Sequence, residues 1–294
     1  MTLVVAWYRE KFGQLWVAAD TRISVEPGVL TDHGPKIFQI PVVCRKTNSS
    51  AAERRTGEMS RLYRTNYGLA FAGSTLSALG THALASACCQ NLAANKKIEP
   101  PSVEDVANLY RKLGEIQIRE MCSRIGPAEW PSRFFKAYIF GHCLKARKPE
   151  IFALHPRLVG NKFDVVVERI IAVPNMYYPM GSGTNLFAEM HKRESALRPD
   201  TGVFQVLQKM VRTEVEPTVG GHTQVAVVTK FGVELRPVLI LGDKPHSGHT
   251  TFLGVAADLL GGVGGFQIGY FAVGPDLEEI QAHAARIALG ASED

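Results

Sequence analysis

TLVVAWYREKFGQLWVAADTRIS, residues 2–24, sets two apolar runs, 2–9 and 14–24, on either side of the polar turn EKFG. Apolar runs of strand length broken by a glycine turn read as a β-hairpin. Residues 28–40 continue in short strand-like pieces, a third and a fourth strand. Thr2 follows the initiator methionine directly, and an acid, Asp20, and a lysine, Lys36, fall in neighbouring strand-like segments. Taken alone, Thr2 is a β-former opening a strand.

Working outward, residues 44–66 are polar and basic, with Arg45, Lys46, Arg54, Arg55, Arg61 and Arg64 against Glu53 and Glu58, which predicts a basic loop. The apolar run YGLAFAG ends on Gly73. An alanine- and leucine-rich helix follows from Ser74, a suitable N-cap. A second helix spans 102–124, with Ser102 as cap, Asp105 three residues on, and Val103, Val106, Leu109, Leu113 and Ile116 on one face. FFKAYIFGHCL and EIFALHP read as a hairpin, GTNLFAEMHKRE and GVFQVLQKMVRTEV as two more helices, TQVAVVT and GVELRPVLI as strands. Strands, two helices, strands, two helices, strands is the order of an α+β, four-layer αββα sandwich. It accounts for residues 1–242. Residues 243–294 form a C-terminal extension whose last part carries helix signals: Pro275 and Asp276 first, Glu278 and Glu279 in the opening turn, Arg286 near the end, Gly290 after it. Its apolar stripe (Leu277, Ile280, Ala284, Ile287, Ala288) predicts docking on the core or on a neighbouring subunit.

Composition narrows the function. With 46% hydrophobic and 21% charged residues in 294, the chain has what a globular core needs. It carries neither a membrane-helix run nor a signal-peptide pattern, so no membrane partner and a cytoplasmic location are expected. Five cysteines (Cys44, Cys88, Cys89, Cys122, Cys143) form no CxxC pair, and His142, His155, His222, His246 and His249 show no ligand spacing. No metal and no cofactor are expected. The net charge of +5 is scattered outside 44–66, so no nucleic-acid partner is expected either.

Thr2, AADTRIS with Asp20, Arg22 and Ser24, Lys36, the AG ending on Gly73, YPMGSGTN (178–185) and VEPTVGGHTQVAVVT (215–229) occur in one order. In that order the chain resembles a proteasome β-subunit, an N-terminal-nucleophile (Ntn) hydrolase, of the bacterial proteasome homologue type. The resemblance covers about residues 2–242. The chain departs from it at two positions: Glu216 stands where the family usually has aspartate, and Val219 where it usually has serine.

The resemblance implies a threonine endopeptidase with the Ntn-hydrolase fold and residue roles that make chemical sense together. Thr2, once Met1 is removed, carries both a nucleophilic hydroxyl and its own base, an α-amine with an ordinary pKa near 7.7–8.0. Lys36 would put a cation beside the hydroxyl and Asp20 would hold that cation. The backbone N–H of Gly73 would face the substrate carbonyl oxygen, and Ser182 and Glu216 would orient the amine. Ile23, Phe71, Thr75 and Leu79 would line a short hydrophobic pocket, with Ser24 also contacting substrate. Implied partners are copies of the same chain in a closed homo-oligomeric ring and a peptide or unfolded protein as substrate; an ATPase partner is unknown. Two alternatives remain at this stage: a non-catalytic shell subunit, and an Ntn amidase acting on a small molecule.

Overall fold

The computed structural model describes residues 2–25, 28–46, 61–94, 99–159, 162–197, 202–241, 248–268 and 272–274. The opening hairpin is β1 (Leu3–Arg9) and β2 (Gln14–Asp20), paired from Val4↔Ala19 to Arg9↔Gln14. A single 3-10 turn joins them and closes on Gly13 at φ 59, a left-handed conformation natural to glycine. Both faces of the hairpin are buried, with period two: Leu3, Val5 and Trp7 join one apolar cluster, Val4 and Ala6 another.

Two short strands, β3 (Ile23–Val25) and β4 (Gly28–Thr31), pair with each other. The larger sheet is built from β5 (Ile37–Lys46), β6 (Arg61–Gly73), β7 (Leu92–Ala94), β8 (Phe135–Cys143), β9 (Lys148–Val159) and β10 (Lys162–Ile170), in the order β10-β9-β8-β6-β5-β7. β11 (Tyr177–Gly181), β12 (Thr223–Thr229) and β13 (Gly232–Arg236) complete the sheet of the opening hairpin, in the order β11-β1-β2-β12-β13. Helices α1 (Thr75–Gln90) and α2 (Val103–Cys122) separate β6 from β8 in the chain; α3 (Thr184–Leu197) and α4 (Val203–Thr213) separate β11 from β12. The expected caps form: Ser74 Oγ accepts from Ser77 N, and Ser102 and Asp105 make a reciprocal capping box.

Three clusters of buried side chains hold this mixed α/β chain together. Ala78, Ala85, Val106, Tyr110 and Ile118 from α1 and α2 meet Leu69, Phe71, Ala137 and Ile139 of the six-stranded sheet. Phe187, Met190, Leu207 and Met210 from α3 and α4 meet Leu3, Val5, Ala18 and Val225 of the five-stranded sheet. A third cluster takes residues from both sheets, among them Val4, Val17, Ala19 and Ala226 with Ile37, Ala70, Tyr138 and Phe140.

Several boundaries differ from the sequence reading. β5 and β6 run into the basic stretch as paired strands, Cys44↔Tyr63 and Arg45↔Arg61, because exposed ladder positions accept long cationic side chains. Residues 47–60 of the expected loop lie outside the described residues, as does the helix expected at 275–290. α1 stops at Gln90, and Leu92–Ala94 pair in parallel with β5 instead of continuing the helix. Across the 242/243 boundary, β14 (Val238–Leu241) pairs with β15 (Gly248–Phe252), and Leu239 N donates to Val273 O at 2.8 Å. Among the described residues no helix is long and apolar enough to cross a membrane.

One glycine positions the chain's start. Gly181 ends β11 opposite Leu3 with φ 114, and a Cβ there would fall 1.9 Å from Thr2 O. Gly181→Ala should therefore combine backbone strain with overpacking and cost about 1–3 kcal/mol, read as a lowered Tm. Gly28→Ala, whose added methyl meets no atom within 4 Å among the described residues beyond its chain neighbours, should leave Tm unchanged.

Candidate active site

β2 ends on Asp20, which is fully buried and accepts four hydrogen bonds. Its Oδ1 accepts from Leu3 N and from Lys36 Nζ, both at 2.9 Å; its Oδ2 accepts from Arg22 N at 3.1 Å and Gly220 N at 3.2 Å. Lys36, 1% exposed, donates a further bond of 2.5 Å to Arg22 O. Burial raises the Asp20 carboxyl and lowers the Lys36 ammonium, and each partner opposes the shift of the other. The side chain of Gln224 joins the same corner: its Oε1 accepts from Lys36 N and Ile37 N, and its Nε2 donates to Asp20 O. Gln224 thus fastens the start of β5 to the end of β2.

Thr2 is 4% exposed and sits where β1 begins. Ser182 N donates to Thr2 O at 2.9 Å, and Thr2 N donates to Ser182 Oγ at 3.2 Å. Ser182 Oγ lies 2.8 Å from Thr218 Oγ1, which in turn is 2.7 Å from Glu216 Oε1. A carboxylate accepts only, so Thr218 donates to Glu216, and its hydroxyl oxygen accepts from Ser182. The bonds then run in one direction, Thr2 N to Ser182 to Thr218 to Glu216; a longer contact of 3.4 Å, Ser182 Oγ to Thr2 O, is the other position for the serine proton. Glu216 reaches the amine end through Thr218, a residue the sequence reading did not single out. Val219, where the resemblance calls for a serine, is fully buried in the apolar cluster of α3 and α4. The hydroxyl in this stretch is supplied one residue earlier.

Arg22 holds the segment that carries these groups. Its guanidinium donates to both Asp32 carboxylate oxygens, at 2.7 and 3.2 Å, to Glu214 Oε1 at 2.6 Å, and to Pro217 O at 3.4 Å. A bidentate fork of this kind fixes direction as well as distance.

Beside Thr2 lies a cleft of about 250 Å³ whose lining includes Thr2, Gly73, Phe134, Lys136, Gly181 and Ser182. Gly73, at φ 107, packs so closely on β8 that a Cβ would fall 2.7 Å from Phe134 O. Thr2, Asp20, Lys36, Gly73 and Ser182 therefore share one corner, with Glu216 joined to it through Thr218. Of the residues expected to contact substrate, Ile23, Ser24, Phe71, Thr75 and Leu79 do not line this cleft. Phe71 is buried against Phe38, with ring centroids 6.3 Å apart; Ile23 is half-buried over Gly34; Thr75 opens α1; and Leu79 is 38% exposed. The buried Ser24 hydroxyl has no hydrogen-bond partner among the described residues. Also among the described residues, no group of three or more His, Cys, Asp or Glu side chains could hold a metal ion.

Removing one half of a buried ion pair strands the other. Lys36→Met should leave the Asp20 charge without its cation and cost about 3–5 kcal/mol. The double change Lys36→Met with Asp20→Asn should recover part of that loss, which paired thermal melts would measure as a coupling energy.

No family model matches the chain, and no curated protein matches it. Solved structures do. Anbu (ancestral beta-subunit) from Yersinia bercovieri is 14% identical, over 79% of this chain and 82% of that one, at a TM-score of 0.45. The helical assembly of the Anbu complex from Pseudomonas aeruginosa is 13% identical, over 99% of this chain and 93% of that one, at a TM-score of 0.49. Anbu proteins are proteasome-like but form a distinct family, and this corrects the resemblance to a proteasome β-subunit of the bacterial homologue type. The short motifs behind that resemblance converge on one corner of the fold, so they describe the corner and leave the family open.

Proposed function

We propose that this chain is a threonine hydrolase of the N-terminal-nucleophile class, cleaving peptide bonds through an acyl-enzyme formed on Thr2 after the residue before it is removed. The observation that carries the reading is the one-way series of hydrogen bonds from Thr2 N through Ser182 and Thr218 to Glu216, beside the buried Asp20–Lys36 pair. Three apolar clusters, two between helices and a sheet and one shared by both sheets, support an αββα layer order.

In the proposed reaction the free α-amine of Thr2 takes the hydroxyl proton as the oxygen attacks the peptide carbonyl carbon. The carbonyl π electrons move to oxygen, and the N–H of Gly73 accepts the role of oxyanion donor. Collapse of the tetrahedral species breaks the C–N bond, and the proton held by the amine passes to the leaving nitrogen. Water, deprotonated by the same amine, then hydrolyses the ester. Ser182, Thr218 and Glu216 orient the amine so that its lone pair faces the hydroxyl. Lys36 contributes a fixed positive charge at the corner where negative oxygen develops.

Self-association into a homo-oligomeric, ring-like particle belongs to the same proposal. Leu76 is 65% exposed and Leu84 48% on α1, and Ile116 is 53% exposed on α2; such apolar side chains gain from cover by a second copy. Peptides or unfolded proteins are the substrates proposed.

Thr2→Ala, and separately an uncleavable residue ahead of Thr2, should leave a folded protein of unchanged oligomeric mass with no peptidase activity. A shell subunit would show no activity in the native form either. Thr218→Val should lower kcat by roughly 10–100-fold and displace the acid limb of the pH–rate profile, because the amine loses its tie to Glu216. Thr218→Ser should restore both; an unchanged profile in Thr218→Val would remove the hydroxyl series from the mechanism.

A further inference from the structure

The buried positions of β8 alternate cleanly. Phe135, Ala137 and Ile139 face α1 and α2, whereas Tyr138 and Phe140 face the layer between the two sheets. By the two-residue period Lys136 belongs with Tyr138 and Phe140 on the inter-sheet face, where an apolar residue would ordinarily stand. It lies at the end of that layer where β1 starts and β6 and β11 stop, paired in register with Ala72. Lys136 is exposed, and it lines both the Thr2 cleft and a second cavity of about 320 Å³ that is also lined by His155, Tyr138 and Thr184. Gly181 and Lys136 border both spaces. No carboxylate lines either space, and Lys136 has no hydrogen-bond or ion-pair partner among the described residues.

An unpaired ammonium at the edge of a cleft lined by no described carboxylate attracts an anion, and a peptide offers one only as a carboxylate. We propose that Lys136 sets specificity by taking a carboxylate of the substrate, from an acidic side chain or from a free C-terminus, at a residue next to the cleaved bond. Resting on the hydrolase reading, this adds a second recognised position. Ile23, Phe71, Thr75 and Leu79 do not line the cleft, so the carboxylate is recognised by a different part of the chain. His155 and Thr184, which line the second cavity, offer polar groups beyond the carboxylate.

Binding and turnover can be separated. The probes are fluorescein-labelled Ala-Ala-Leu-Glu-Ala-Ala amide, its Gln counterpart, and Ala-Ala-Leu-Ala as free acid and as amide. Anisotropy with the Thr2→Ala protein reads binding without catalysis. Glu over Gln, or acid over amide, should be preferred about tenfold, the preference should shrink with added salt, and Lys136→Met should abolish it. Lys136→Glu should reverse it. The first pair reports a side-chain carboxylate and the second a terminal one. Equal binding of both members of both pairs, or a preference surviving in Lys136→Met, overturns the Lys136 assignment even if native protein hydrolyses peptides. A Lys136-dependent preference in a native protein that cleaves nothing sustains the assignment and overturns the hydrolase reading.

Discussion

The buried carboxylate of Asp20 constrains everything near it. Four donors reach it from four places in the chain: Leu3 N, Arg22 N, Lys36 Nζ and Gly220 N. A charge taken out of water is tolerated only when its lone pairs are all satisfied, so none of these segments can drift without leaving it underbonded. The start of β1, the turn after β2, the start of β5 and the segment before β12 are thereby held to one point. Gln224 reinforces the same point from the β12 side by bonding Lys36 N, Ile37 N, Asp20 O and Gly34 O.

Holding Leu3 also holds Thr2. The residue ahead of a pinned strand start has little freedom, and Gly181 and Ser182 close on its carbonyl from the other side. A residue so near a chain end would otherwise fray, as termini do. Here Thr2 is buried and its nitrogen donates into a series of hydroxyls. Preorganisation of this kind is what an amine must have to act as base toward a hydroxyl on its own residue.

The opening hairpin was legible because two continuous apolar runs of strand length flank a turn that carries a glycine. Asp20, Lys36 and Ser182 were legible as short motifs, and the structure brings them to one corner with Thr2. Thr218 and Gln224 were not, since each acts through partners far away in sequence: Ser182 is 36 residues from Thr218, and Lys36 is 188 residues from Gln224. The ends of β5 and β6 were hidden by charge, because arginines at exposed ladder positions look like loop in a linear reading. Lys136 was passed over inside FFKAYIFGHCL, where only the sheet shows which face it occupies. Phe71, assigned to a substrate pocket through the resemblance alone, packs in a helix–sheet cluster.

A peptide epoxyketone tests the central claim most directly, because a stable ring adduct with it needs a hydroxyl and a free amine on one residue. After incubation with the native protein, mass spectrometry of the N-terminal peptide should show loss of Met1 and one adduct on Thr2, with peptidase activity falling in step. Peptide hydrolysis by protein that retains Met1 in full, or that persists while Thr2 stays unmodified, would contradict the account.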